Sequence, residues 1–177
     1  MQVAIIGAGP LGRWLALAAA RAGYTVLLED VMPSNLHHAQ EYLRQQLGPA
    51  ALPSVRFVST IEEAVREADL AIDCVPDELE SKLEIFCLLD RMAPPRTVLM
   101  TPTRNMSITD LASCTYRAEK CLALVADARE LTEAGEKERG AEILLRTPPQ
   151  VRLETVALAQ AFWERIGFAP RFEAERG

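Results

Sequence analysis

Residues 1–30 read MQVAIIGAGPLGRWLALAAARAGYTVLLED, and this stretch decides the fold. Val3 to Ile6 are an apolar, β-branched-rich run too short for a helix, which predicts a buried strand. Gly7-Ala8-Gly9-Pro10-Leu11-Gly12 then fits G-x-G-x-x-G. Leu15 to Ala20 continue in strong helix formers, and Gly23 stops that helix. Tyr24 to Leu28 make a second apolar strand that ends at Glu29-Asp30. A glycine turn alone is only a turn, but strand, turn, helix, strand and acid in this order make a dinucleotide site.

Each part has a physical task. Gly7 permits the tight turn, Gly9 lets the backbone approach a pyrophosphate, and Gly12 lets helix and strand pack closely. Pro10 and Leu11 complete the turn, where free N–H groups and the positive end of the helix dipole face the phosphates. Asp30 stands 18 residues beyond Gly12, the spacing of an acid that accepts hydrogen bonds from the adenosine ribose. No Arg or Lys occurs in Val31 to Leu36, so a 2′-phosphate would meet a carboxylate and no cation. The expected cofactor is NAD, not NADP.

Further along, strand and helix signals alternate. Ser34 is placed to cap a helix running to about Gln46 and ended by Gly48-Pro49. Val55 to Val58 is a short strand, and Thr60-Ile61-Glu62-Glu63 is a capping box opening a short helix. Leu70 to Val75 is a strand closed by Pro76, and residues 79–91 carry the helical spacing of Leu79, Leu83, Phe86 and Asp90. Thr97 to Met100 and Cys121 to Ala126 predict two more strands, with a short helix starting at Ser107 between them. Residues 127–140 are charged and lack an apolar stripe, so an exposed loop or short solvated helix is expected. Ala141 to Leu145 reads as a strand, Thr155 to Ile166 as an amphipathic helix, and Phe168 to Phe172 as an edge strand. This alternation predicts one α/β domain over residues 1–177, a doubly wound, mainly parallel sheet of the Rossmann type.

At 177 residues, 49% hydrophobic and 25% charged, the composition is that of a soluble protein. The net charge of −6 and the absence of a Lys/Arg-rich block argue against nucleic acid and anionic membrane as partners. No apolar run has the length of a membrane span, and the N-terminal run leads into the glycine turn as a core strand would. Cys74, Cys87, Cys114 and Cys121 show no C-x-x-C pairing, which suits reduced, packed thiols and a cytoplasmic location. His37 and His38 are adjacent, diverge on a helix and read as surface residues, so no metal site is expected.

With these motifs in order, the chain resembles the NAD-binding domain of the 3-hydroxyacyl-CoA dehydrogenases. In that family an acid, a few residues, a lysine and a helix follow the fourth strand, and VPDELESKLEIFCLLD is similar, with Asp77 and Lys82. The Ser/Thr/Asn-rich turn ending in Ile-Thr is matched by TPTRNMSITDLAS, and the strand–proline–helix ending by LLRTPPQVRLETVALAQAFWERIGFAP. The resemblance implies that Gly7, Gly9, Pro10, Leu11 and Gly12 hold the pyrophosphate, that Asp30 holds the ribose, and that Asp77 and Lys82 line the cofactor cleft. From the residues alone, Asp77 could instead cap the following helix and Lys82 could sit in solvent.

The family gives hydride to NAD from a 3-hydroxyl while a histidine, oriented by a glutamate, takes the proton. The ungapped match from Ile108-Thr109 places Val125 at the histidine, and the match at Thr147-Pro148 places Ile143 at the glutamate, with Glu142 one residue off. By the same resemblance Arg104 replaces a substrate-binding serine, the helical hairpin that helps clasp CoA is reduced to one helix and a Pro-rich link, and the family's helical C-terminal domain is expected to be missing.

Two functions are therefore expected. One is an NAD(H)-binding protein or half of a split enzyme, completed by a protein partner or as a homo-oligomer. The other is an NAD-dependent oxidoreductase of fatty acid metabolism or a related route, acting on an acyl-CoA or other small anionic substrate. Its acid–base groups would come from Lys82, Asp127, Glu130 and Glu142, with Arg104 orienting the anion.

Overall fold

Gln2–Ile6 forms β1, and the chain builds outward from it on both sides. The computed structural model describes residues 1–48, 52–126, 128–137 and 140–175. After β1 come α1 (Pro10–Arg21), β2 (Thr25–Glu29), α2 (Pro33–Gln46), β3 (Val55–Val58), α3 (Ile61–Val65), β4 (Leu70–Asp73) and α4 (Leu79–Met92). The second half supplies β5 (Val98–Pro102), α5 (Ile108–Ser113), β6 (Cys121–Leu124), α6 (Ala128–Lys137), β7 (Ala141–Thr147), α7 (Leu153–Arg165) and β8 (Phe168–Ala174). They join in one sheet ordered β3-β2-β1-β4-β5-β6-β7-β8. β1 to β6 run parallel, β7 turns antiparallel to β6, and β8 is parallel to β7. This is the expected doubly wound α/β sheet. Strand order reverses at β1, so the connections leaving β1 and β4 part and open a crevice at the strands' carboxyl ends.

Side-chain alternation along each strand divides the core in two. Val3 and Ile5 join Leu15, Phe162 and Trp163 on one face, while Ala4 and Ile6 join Phe86, Leu89 and Leu111 on the other. Trp163 stands edge-on to Phe168 at a centroid distance of 5.6 Å, pinning α7 to β8. Thr60 caps α3 as expected, its Oγ1 accepting from Glu63 N at 3.3 Å, and Ser107, the expected start of α5, caps it with Oγ accepting from Asp110 N at 3.2 Å.

Several boundaries differ from expectation. Met32, not Ser34, is the N-cap of α2, because Pro33 occupies the first helical position, where its fixed φ and missing N–H cost nothing. Pro49, expected to end that helix with Gly48, lies outside the described residues. β4 ends at Asp73, leaving Cys74 and Val75 in the turn, and β5 continues through Pro102. α6 is no solvated appendage: Leu131 is buried in the core that α1 shares. Among the described side chains of α6, Leu131 is the one buried in that core. All four cysteines are free thiols, and His37 and His38 are exposed. No described helix is long and apolar enough to cross a membrane.

Candidate active site: the cleft at the glycine turn

A cleft of about 720 Å³ opens at the carboxyl ends of β1, β2 and β4, and its lining includes Gly7, Gly9, Pro10, Leu11, Asp30 and Asp77. The three fingerprint glycines owe their identity to three different causes. Gly7 has φ +100°, a left-handed conformation that disfavours a side chain, and its N–H donates to Glu29 O at 2.8 Å. A Cβ on Gly12 would lie inside the Gly7 carbonyl, so α1 can approach the turn only with glycine there. Gly12 is thus a packing residue beneath the cleft. Gly9 has φ −65°, which any residue adopts, and a Cβ there would meet no protein atom within 4 Å. The protein itself does not require glycine at position 9. The open space faces the N-terminus of α1, where a pyrophosphate would lie against free N–H groups.

Asp30 is held in place before any ligand arrives. Its Oδ2 accepts from Ala8 N at 2.8 Å and Asn35 Nδ2 at 3.1 Å, and its Oδ1 accepts from Met32 N at 2.8 Å. A carboxylate has about four acceptor sites, so roughly one stays available for a ribose hydroxyl.

Asp77 lies exposed on the cleft wall, and its Oδ2 accepts from Arg104 N at 3.4 Å. It does not cap α4, whose N-cap is Glu78. Lys82 is found neither in solvent nor among the residues lining the cleft: its side chain is 0% exposed. Its Nζ donates to Thr101 Oγ1 at 2.9 Å, to Asp73 Oδ2 at 3.2 Å and to Val75 O at 3.4 Å. Thr101 in turn donates to Asp73 Oδ2 at 2.9 Å, and Val75 N to Asp73 Oδ1 at 2.9 Å. Burial pushes the Asp73 carboxyl above its ordinary range, while the Lys82 ammonium and these hydrogen bonds pull it back. The cluster ties β4, α4 and β5 together directly beneath Cys74, Val75 and Pro102, which form part of the cleft surface. Lys82 is therefore a positioning residue. An apolar strand ending in aspartate, nine residues before a lysine, was the sequence signal for this pair.

Among the described residues the proposed acid–base candidates do not converge. Arg104 and Glu130 form an ion pair with each other, and Glu142 pairs with Arg171 at 3.6 Å across β7 and β8. Asp127 lies outside the described residues. Val125 N donates to Leu144 O at 2.9 Å, while Ile143 points into the core on the opposite face of β7. Burial raises the Cys74, Cys114 and Cys121 thiols, the last two to about 12, so none is poised as a thiolate. One acid that the sequence reading passed over as the end of a strand, Glu29, also lines the cleft.

The geometry has counterparts among known proteins. Residues 2–124 match the family "3-hydroxyacyl-CoA dehydrogenase, NAD binding domain". Over 173 residues the chain is 29% identical to the probable 3-hydroxybutyryl-CoA dehydrogenase of Bacillus subtilis, covering 90% of this chain and 58% of that protein. It is 34% identical over 121 residues to 5-formyl-3-hydroxy-2-methylpyridine 4-carboxylate 5-dehydrogenase of Mesorhizobium japonicum, covering 62% and 39%. The 3-hydroxybutyryl-CoA dehydrogenase structure from Escherichia coli superimposes with a TM-score of 0.82 at 25% identity, over 98% of this chain and 38% of that one. The chain thus spans about three fifths or less of these relatives' length. The chain belongs to the 3-hydroxyacyl-CoA dehydrogenase family as its NAD-binding domain, and NAD is its cofactor.

Proposed function

We propose that this domain holds NAD(H) without the family's histidine–glutamate proton relay, acting as a cofactor-binding protein or as one half of a split enzyme. In this reading Gly7, Gly9, Pro10 and Leu11 seat the pyrophosphate, Asp30 takes the ribose, and Asp77 borders the nicotinamide end. Gly12 and Lys82 support the cleft from below. NAD supplies hydride acceptance when bound, and this chain's residues orient it and keep its floor rigid.

One observation carries the reading. At the end of β6, where the resemblance places the proton acceptor, the Val125 amide is bonded to the Leu144 carbonyl, and Val125, Ile143 and Leu144 are all apolar. None can take or give a proton. General acid–base help is worth about 10²–10⁴-fold, so without it turnover of a 3-hydroxyacyl-CoA should be weak. A partner chain or a second copy could supply the missing groups and the acyl-CoA or other anionic substrate.

The purified chain should bind NADH with enhanced nicotinamide fluorescence, and that signal should persist after acetoacetyl-CoA is added. Steady oxidation of NADH at the rate of an ordinary dehydrogenase would overturn the proposal and favour an active oxidoreductase.

A further inference from the structure

Glu29 is 5% exposed, yet among the described residues its carboxyl has no hydrogen-bond or ion-pair partner. Strand alternation sends it to the same face as Leu27, toward α3 and α4, whereas Asp30 is bonded back to the glycine turn and α2. The two adjacent acids therefore face different parts of the cleft. The part of the cleft bordered by α3 and α4 is mainly apolar, lined by Ile61 from α3 and by Ile85 and Leu88 from α4, with the exposed Glu84 beside them. A mainly hydrocarbon slot with a buried, unpartnered acid on its wall suits a flat aromatic base carrying a donor at its edge. Its lining offers a phosphate no cation and a sugar too few partners.

We propose that Glu29 is the base-reading residue of this cleft and holds the 6-amino edge of the adenine. The inference rests on NAD lying in the cleft with Asp30 at its ribose. Either adenine edge bearing the 6-amino group pairs an N–H donor with a ring-nitrogen acceptor, and a protonated carboxyl presents the complementary acceptor and donor. Burial, and then the charge of Asp30, push Glu29 up to about 7, so a large share of it carries its proton near neutrality and most of it does at pH 6.0. The other titratable groups lining the cleft are Asp30 just after β2, Glu84 on α4, and Cys74 and Asp77 in the turn after β4. From α3 and β1 it meets the apolar Ile61 and Ile6.

The test is calorimetric titration of NAD⁺ into the full chain at pH 6.0 and 8.5, with Glu29→Gln and Glu29→Leu. Wild-type affinity should fall by about tenfold or more between the two pH values, because the bound state holds a proton that the free protein releases. Glu29→Gln keeps a donor and an acceptor, so it should bind within about threefold of wild type at pH 6.0 and lose the pH slope. Glu29→Leu should fold at least as stably, yet bind about tenfold more weakly at pH 6.0. Undiminished affinity in Glu29→Leu, or a slope that survives in Glu29→Gln, would overturn the assignment of Glu29 alone. Failure of the wild type to bind NAD⁺ at either pH would remove the cofactor placement as well.

Discussion

Lys82→Met should lower stability by about 3–5 kcal/mol, because it strands a buried carboxylate. Asp73 and Lys82 are both 0% exposed, and water cannot replace the lost ammonium. Thr101 and the Val75 N–H would remain, but two neutral donors do not offset a buried negative charge. The sign of the pH dependence follows. Asp73 already titrates above its ordinary range, and loss of Lys82 raises it further. An acid raised in the folded state contributes stability that is fully present below its unfolded pKa and lost as pH rises. The deficit of Lys82→Met should therefore be smallest in mild acid and grow toward neutral pH. Urea unfolding at several pH values measures it through a shifted midpoint at unchanged slope. Asp73→Asn added to Lys82→Met should recover part of the loss. A deficit below about 1 kcal/mol at neutral pH, the scale of an exposed ion pair, would show that the pair does not hold the cleft floor.

Two alanines in the same turn should do opposite things. In Gly12→Ala the new methyl would overlap the Gly7 carbonyl, backbone against backbone, so α1 must move off the turn. A loss of about 3 kcal/mol or more is expected, with weakened NAD binding as a consequence of the damaged fold. In Gly9→Ala the backbone is already in a conformation open to alanine, and the methyl enters empty space. Its thermal midpoint should stay within a few degrees of wild type, while NAD affinity drops by about tenfold or more. Paired melting and calorimetric titration of the two variants separate packing from ligand approach. Normal NAD binding by Gly9→Ala would show that the pyrophosphate does not pass over that residue.

What could be read from the chain alone was local. Strand, turn, helix and strand in residues 1–30 depend on hydrophobic period, glycine conformation and sequence spacing, all short-range. The Thr60 and Ser107 caps are likewise written within four residues, and the alternation of elements determined the doubly wound sheet. The fingerprint also named Gly7, Gly9, Pro10, Leu11 and Asp30, which line one cleft, and Gly12, which packs beneath it.

Burial and partnership were decided only by tertiary structure. Lys82 has the composition of a solvent residue, and only the stacking of α4 over β4 and β5 delivers Asp73 and Thr101 to its ammonium. Glu29 looked like one more end-of-strand acid until the pleat and the packing of α3 and α4 closed around it. Leu131 of the largely charged α6 is buried only because the fold brings it against the core that α1 shares. The sequence by itself determined the fold and the cofactor turn, since both rest on contacts between near neighbours. Which ionisable groups are buried, and what they face, depended on residues tens of positions apart meeting in space.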